Sequence, residues 1–437
     1  MMMNAALLIL VAQANVLTLD EALQTAQRMQ PTVHQARANT EAAQARVGEA
    51  RAPLLPQLSG IASYTRTTNN SYMSSLNCLN SSFNGTGVGM VNGPPPGPPS
   101  FSSCDRTNLS ITASQTLWDG TGQLARWRQN AVFAESVELT ERATRLGVAL
   151  NVRTFYFAAR ANKALMQVAR DTLANQQRHL AQVSGFVKVG TQPEIALAQS
   201  RTAVANAQVQ LINAENNYEV AKAQLNQAIG IERDTGYDVE DESTPPIEGE
   251  DLDTAPLLDG ALKARPDYLG LDKQIRAQEL AIWAAKTAYG PSLSASTTLN
   301  DAGNVGNTAW NWSFNLQLNW QLFSGGLTWY TVKEQKANLD GLKAQRDLVR
   351  QQVRLGVEQA RLAVRAAKAA VGAAEEARAN ASEQLRLAEG RYAAGVGSII
   401  ELGDAQVALT NAAAQKVQAD YNVSTARAQL LQAIGRF

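Results

Sequence analysis

Side chains able to do acid–base, nucleophilic or metal chemistry are scarce in this chain. Histidine occurs only at His34 and His179, and cysteine only at Cys78 and Cys104. Each histidine falls on a helical pattern without a carboxylate or cysteine close by in sequence, so both read as surface helix residues rather than as a base or a ligand. Two cysteines without a nearby histidine fall short of a zinc ligand set. A phosphate-binding glycine loop followed by lysine, a dinucleotide fingerprint and a Gly-x-Ser-x-Gly elbow are all missing. These features argue against an enzyme and against a bound cofactor. What remains is charge. Glu401 and Asp404, three residues apart, share one face of a helix. Residues 232 to 253 carry ten acids against Arg233 alone, which reads as an exposed belt or connector, with a cation site as the sharper alternative.

The elements that position these groups begin with the stretch from Trp310 to Leu322, apolar at even numbers and polar at odd ones. Period-two alternation predicts a strand with two unlike faces. The polar set, Asn311, Ser313, Asn315 and Gln317 among it, is uncharged. The apolar set is Trp310, Trp312, Phe314, Leu316, Leu318 and Trp320. An apolar face toward lipid, a polar lumen and tryptophans near the ends suit a membrane barrel strand, although a half-buried strand of a soluble sandwich alternates too. No run of 18 or more apolar residues exists, so a membrane crossing requires a closed barrel. The net charge is zero, leaving no general basic field for nucleic acid.

Taken in order, Ala5 to Val11 is apolar and Ala12-Gln13-Ala14 is a small-x-small pattern, so residues 1–14 resemble a secretory signal. Thr18 to Ala52 reads as a helix stopped by Pro53 and Pro56, and Leu58 to Thr67 as a strand. Residues 68–106, rich in Asn, Ser, Gly and Pro, form a long surface loop holding both cysteines. In an exported protein Cys78 and Cys104 read as one disulfide stapling that loop, the alternative being two unpaired thiols. Thr107 to Leu117 alternates again. From Thr121 to Val183 about sixty helical residues would reach ~90 Å, beyond any compact domain of this size. The return helix to Gly230 carries a heptad seam, with Val204, Leu211, Tyr218 and Leu225 at one position and Ala207, Ala214, Ala221 and Ala228 at the other. A helix from Leu257 to Ala288 leads to a third strand, to a loop over Asp301–Thr308, and then to the alternating strand.

The second half restates the first. A shift of 205 carries Leu117-Trp118-Asp119-Gly120 onto Leu322-Phe323-Ser324-Gly325, Gly190 onto Gly395, and Gln227-Ala228-Ile229-Gly230 onto Gln432-Ala433-Ile434-Gly435. Before the strands the shift is 235, carrying Pro31 onto Pro266. An unbroken register of this length indicates duplication. The expected organisation is a first repeat over 15–230, with a β-hairpin at 57–117 and a helical hairpin at 121–230. An acidic connector follows at 231–256. The second repeat covers 257–437, with a β-hairpin at 291–322 and a helical hairpin at 326–435. Four strands cannot close a membrane barrel, whose minimum is about eight, so the chain must oligomerise.

This architecture resembles the TolC-like outer-membrane efflux proteins over essentially the whole mature chain. The residues carrying the resemblance are the duplicated organisation and two turn stretches, Phe186 to Thr191 and Arg391 to Ala405. The resemblance implies a mainly helical chain with a transmembrane β part, trimerising into a 12-strand barrel on an α-helical barrel. It implies a homotrimer in outer-membrane lipid, with no cofactor. The turns, namely Val189, Gly190 and Thr191 together with Gly395, Val396, Gly397 and Ser398, would dock on a periplasmic adaptor that links to an inner-membrane transporter. Glu401 and Asp404 fall where the family places an acidic ring at the periplasmic entrance, with Tyr392 beside them. Three chains would bring six carboxylates round a narrow pore, favouring cations. Departures occur at Ala196 and Gly397, where some members carry the Asp and Arg of a latch with Tyr392. That latch is incomplete here, leaving closure to packing and the acidic ring. Thr191 stands where a Leu is usual.

The expected function is therefore a passive exit duct for small molecules. A one-step protein-secretion outlet uses a similar duct, and a periplasmic coiled-coil scaffold is the alternative from another class. The scaffold leaves four alternating, charge-poor strands unexplained. No Met or His ladder lines the expected lumen, which argues against metal efflux.

Overall fold

The computed structural model describes residues 16–69, 102–232, 236–241, 245–251 and 253–437. The expected signal at 1–14 lies outside the described residues. So does Cys78, and with it the disulfide to Cys104.

Two compact units share the chain, and neither coincides with a repeat. One comprises Ala42–Ala134 and Gln274–Leu342; the other comprises Met1–Glu41, Glu135–Lys273 and Lys343–Phe437. The first unit contains a four-stranded antiparallel sheet in the order β2 (Gln57–Asn69), β3 (Ser102–Trp118), β5 (Ser292–Asn304), β6 (Asn307–Asn319). Strands β2 and β3 extend into the expected 68–106 loop from both ends. Likewise the expected loop over Asp301–Thr308 shrinks to Val305-Gly306, where Gly306 takes φ 87°. Gly303 is required there, because a Cβ would lie 2.2 Å from the Asn307 carbonyl oxygen.

Residues paired across an antiparallel sheet share a face, so register propagates the β6 alternation through all four strands. Trp312, Phe314, Leu316 and Leu318 pair with Leu299, Thr297, Ala295 and Leu293, and the same face continues through Leu109, Ile111 and Ala113 to Ala62, Gly60 and Leu58. On the other face Asn311, Ser313, Asn315 and Gln317 pair with Asn300, Thr298, Ser296 and Ser294, continuing through Ser110, Thr112, Ser114 and Thr116. Ile61, Ala302 and Ala309 are apolar members of that face, and Gln115, opposite Ala295, and Asp301, opposite Trp310, are polar members of the apolar one. A register shift between Thr116 and Trp118 turns Trp118, rather than Leu117, toward the apolar face opposite Leu293. Trp320 lies past the end of β6 and is not a strand residue. Its indole Nε1 donates to the Tyr289 carbonyl at 3.1 Å.

The helical unit is built on α1 (Leu19–Met29) and on parts of α2 (Pro31–Arg51), α3 (Gly122–Lys188) and α4 (Glu194–Ile229). From the second half come α5 (Thr254–Ala264), part of α6 (Pro266–Lys286), part of α7 (Leu327–Ala393), and α8 (Ile399–Ala433). The single helices expected over 18–52 and 257–288 are each broken, at Gln30 and Arg265. The proline that follows forces the preceding residue out of the helical region, to ψ 120° and ψ 118°. Both breaks receive the end of a return helix. Gln30 Nε2 donates to the Ala228 carbonyl at 3.1 Å, and Arg265 donates to the Ala433 carbonyl at 3.3 Å. Glycine is needed at the contact: a Cβ on Gly230 would stand 2.8 Å from Gln30 Cα, and Gly230 has φ 85°.

The heptad seam buries Ala207, Tyr218, Ala221, Leu225 and Ala228, and in the second repeat Ala412, Ala419, Ala426 and Ala433; Val204, Leu211 and Ala214 are half-buried. Most described acids of the connector are exposed, as expected of a belt, but it is tied to the helices at several points and Glu250 is buried. Its strand β4 (Asp238–Val239) pairs in parallel with β1 (Val16–Leu17). Asp238 bonds Lys163 at 2.7 Å, and Asp241 bonds Arg160 at 2.6 Å. Glu250, with its side chain only 4% exposed, takes Arg427 on both oxygens at 3.0 and 3.1 Å and Lys368 at 2.5 Å. Basic residues on the long helices thus pair with Asp238, Asp241, Glu250 and Asp251, while Glu232, Glu240 and Asp253 are exposed.

Candidate functional site

Two tight turns close the helical hairpins, α3 to α4 and α7 to α8, and their backbones are near copies. Gly190 and Gly395 both have φ 78°, a left-handed conformation suited to glycine. The Gly190 N–H donates to Val187 at 3.0 Å and the Gly395 N–H to Tyr392 at 3.1 Å. Thr191 and Val396 then donate to the carbonyls of Phe186 and Arg391, each at 3.0 Å. Ser398 caps α8, its hydroxyl accepting the N–H groups of Ile400 and Glu401 at 3.2 Å. Gly397 has no room for a side chain, since a Cβ would lie 2.8 Å from the Tyr392 nitrogen and 3.0 Å from Arg391 atoms. Any side chain at this position would require the turn to shift. Val189 and Val396 are each 72% exposed at the turn apices.

Glu401 and Asp404 are both exposed on the first turns of α8. Tyr392 is not beside them at the surface. It is buried in an apolar cluster with Val183 and Ala196 of the first hairpin and Leu385, Ala388, Leu402 and Ala405 of the second. Burial raises the pKa of its hydroxyl, which finds no hydrogen-bond partner among the described residues. Where the acid of the usual latch would stand is Ala196, itself buried in the same cluster. The expectation that His179 is a surface residue is also overturned: it is buried, its ring centroid 5.3 Å from that of Tyr392 in an edge-on arrangement. Burial lowers its pKa, partly offset by a hydrogen bond with Gln182. The long, locally apolar seam of α3 carries His179 inward, and isolated sequence neighbours give no sign of that. His34 is exposed, its Nε2 2.7 Å from the Arg28 carbonyl.

Arg391 has a role that sequence reading alone did not assign. Its Nε stands 3.1 Å from Glu401 Oε1, across the turn. In the sheet unit, Trp310, Trp312, Phe314, Leu316 and Leu318 are between 56% and 73% exposed along β6. Beyond the strand ends, further exposed aromatics were missed: Trp283, Tyr289, Phe323, Trp329 and Tyr330. They lie in helical or irregular sequence, where period-two alternation cannot flag them. No helix among the described residues is long and apolar enough to cross a membrane.

A family model described as outer membrane efflux protein matches residues 22–231 and 257–436. The probable efflux pump outer membrane protein TtgC of Pseudomonas putida is 24% identical over 315 residues, which cover 69% of this chain and 63% of TtgC. The matched region is thus less than two thirds of that relative's length. The outer membrane protein TolC of Escherichia coli is 24% identical over 442 residues, covering 94% of this chain and 81% of TolC. The solved structure of the outer membrane protein VceC from Vibrio cholerae superposes with a TM-score of 0.77 at 17% identity, covering 96% of each chain, which shows a shared fold. By the extent of the family match, over both halves and all of the long helices, the chain belongs to the outer membrane efflux protein family.

Proposed function

We propose that the chain is the outer-membrane exit duct of a tripartite efflux system, a passive homotrimeric channel expelling small toxic molecules. The sheet carries this reading. Away from the end that carries Arg66, Asp105, Arg106 and Asp301, its apolar face suits lipid and its other face is lined mainly by uncharged Asn, Ser, Thr and Gln, and β2 and β6 are edges with no partner strand among the described residues. An open edge in hydrocarbon is not tolerated, and three copies would supply twelve strands, above the minimum of about eight.

The helical unit also supports association of copies. On α7, Leu348, Leu355 and Leu362 recur every seven residues and are 54%, 57% and 47% exposed. Their counterparts 205 residues earlier, Ala143, Leu150 and Phe157, are half-buried or buried within the chain. A neighbouring copy covering the α7 face would restore the equivalence of the two repeats. The exposed valines of the two turns, with Gly190, Thr191, Gly395, Gly397 and Ser398, offer a small apolar surface for a periplasmic adaptor, through which an inner-membrane transporter would supply energy. Glu401 and Asp404 would ring the pore at the second turn, with Tyr392 packed behind them as support.

Single-channel recording of the purified protein in a planar bilayer tests the proposal. Discrete conductance steps from a trimer are expected. Folded trimer that never conducts would instead favour a periplasmic scaffold.

A further inference from the structure

The duplicated turns differ in charge. Positions Arg391, Glu401 and Asp404 of the second turn correspond, 205 residues earlier, to Phe186, Ala196 and Gln199. The backbone hydrogen bonds are conserved between the two turns while the charged triplet occurs in one alone. Arg391 lies in the last turn of α7 and Glu401 in the first turn of α8, so each sits at the helix end whose dipole favours its charge. Val396 and Gly397 both donate to the Arg391 carbonyl at 3.0 Å, and Ser398 fixes the Glu401 N–H. The backbones carrying the two charges are therefore held before the side chains meet. Asp404 has no ion-pair partner among the described residues.

From this arrangement we infer that Arg391 is a selectivity-determining residue of the duct. It cancels Glu401, so of this triplet each chain keeps one net negative charge, on Asp404; the exposed Glu389, two residues before Arg391, points to the opposite side of α7. The inference rests on the duct reading and on a constriction at this turn. It does not need a strong ion pair. The pair is 58% and 44% exposed, and such pairs contribute little stability. It needs only that the guanidinium be within a screening length of the Glu401 carboxylate, about 8 Å at physiological salt, and 3.1 Å is well inside that. Any ion passing the carboxylates then meets the cation too.

The consequence is a reversal of sign. In Glu401→Gln/Asp404→Asn only the cation of the triplet remains, and three chains place three Arg391 guanidiniums round the pore, with Glu389 unchanged in every variant. Reversal potentials in a salt gradient should show wild type preferring cations and this double variant preferring anions. Adding Arg391→Gln to it should bring the preference back to near unity. Arg391→Gln alone should raise the wild-type cation preference by about two- to five-fold, the range that exposed charge pairs support, and Arg391→Lys should leave it unchanged. A double variant that conducts without preference, or that stays cation-preferring, overturns the role of Arg391. If wild type prefers cations and the double variant prefers them equally, the constriction itself lies elsewhere and both statements fall. Should Arg391→Gln fail to trimerise, the sign in the double variant still decides, because Arg391 is intact there.

Discussion

Two buried titratable side chains in the helical unit set expectations for its stability. Burial pushes the Glu250 carboxyl up, but hydrogen bonds from Arg427, Lys368 and the Ile247 N–H outweigh it and hold the pKa at about 2. A folded-state pKa below the ordinary 4.5 means that the unfolded chain takes up the proton first as pH falls. The stabilisation is thus complete above 4.5 and is lost as pH falls toward about 2. Glu250→Gln should lower helical stability by ~3 kcal/mol at neutral pH, because Arg427, 13% exposed, and Lys368 lose the buried carboxylate they share. Thermal melts followed by circular dichroism should show that loss at pH 7, with the gap to wild type closing near pH 2. At His179 burial moves the pKa below 6.5. As pH falls through that value, the opened state binds the proton before the packed one, so packing against Tyr392 weakens in acid. Hydrogen exchange at residues 180–200, corrected for intrinsic rates, should rise from pH 7.5 to 5.5 in wild type. In His179→Phe, which keeps a ring and titrates nothing, the rise should vanish.

Strand β6 was the most legible element, because its alternation is set by backbone geometry alone and any pairing in register preserves it. Lys in place of Phe314 should block membrane assembly, costing ~2–4 kcal/mol near the bilayer midplane. Lys in place of its neighbour Ser313, on the polar face, should still assemble. Heat-resistant trimer on a semi-native gel is the readout, and equal assembly of both variants would refute the face assignment. What sequence left open at this scale has identifiable causes. The bulge before Trp118 depends on pairing with β5, a partner about 180 residues away, so phase within β3 alone places Leu117 on the wrong face. The breaks at Gln30 and Arg265 were marked by the following prolines. Their purpose was hidden, because each break is shaped to receive the end of a return helix, at Gly230 or Gly435, far along the chain. The buried Glu250 of the acidic connector was hidden for a similar reason: composition shows the acids but not the basic residues of α7 and α8 that meet this one. Tyr392 and Arg391 in the candidate site follow the same rule, since their partners lie across a turn or on the other hairpin.

The whole molecule is a duplicated sequence whose compact units cut across the duplication, each taking segments from both repeats. Such cross-cutting follows when pseudo-equivalent elements pack on one another: sheet pairs with sheet, hairpin with hairpin. Within one chain this pairing is incomplete. The α7 stripe of Leu348, Leu355 and Leu362 is exposed where its first-repeat counterparts are covered, just as β2 and β6 lack partners at the sheet edges. On the proposed reading both deficits would be met by copies of the same chain in a closed ring, whereas an adaptor or a pump would have to satisfy each separately. Leu355→Lys/Leu362→Lys places two charges on that stripe without touching the buried seam of Val353, Val357, Ala360 and Val364. Sedimentation in detergent should then give a monomer, or a trimer that dissociates on dilution, with helical content equal to wild type. A trimer as stable as wild type would mean that this face meets solvent or another partner. The repeats would then be inequivalent by design, and oligomerisation would rest on the sheet edges alone.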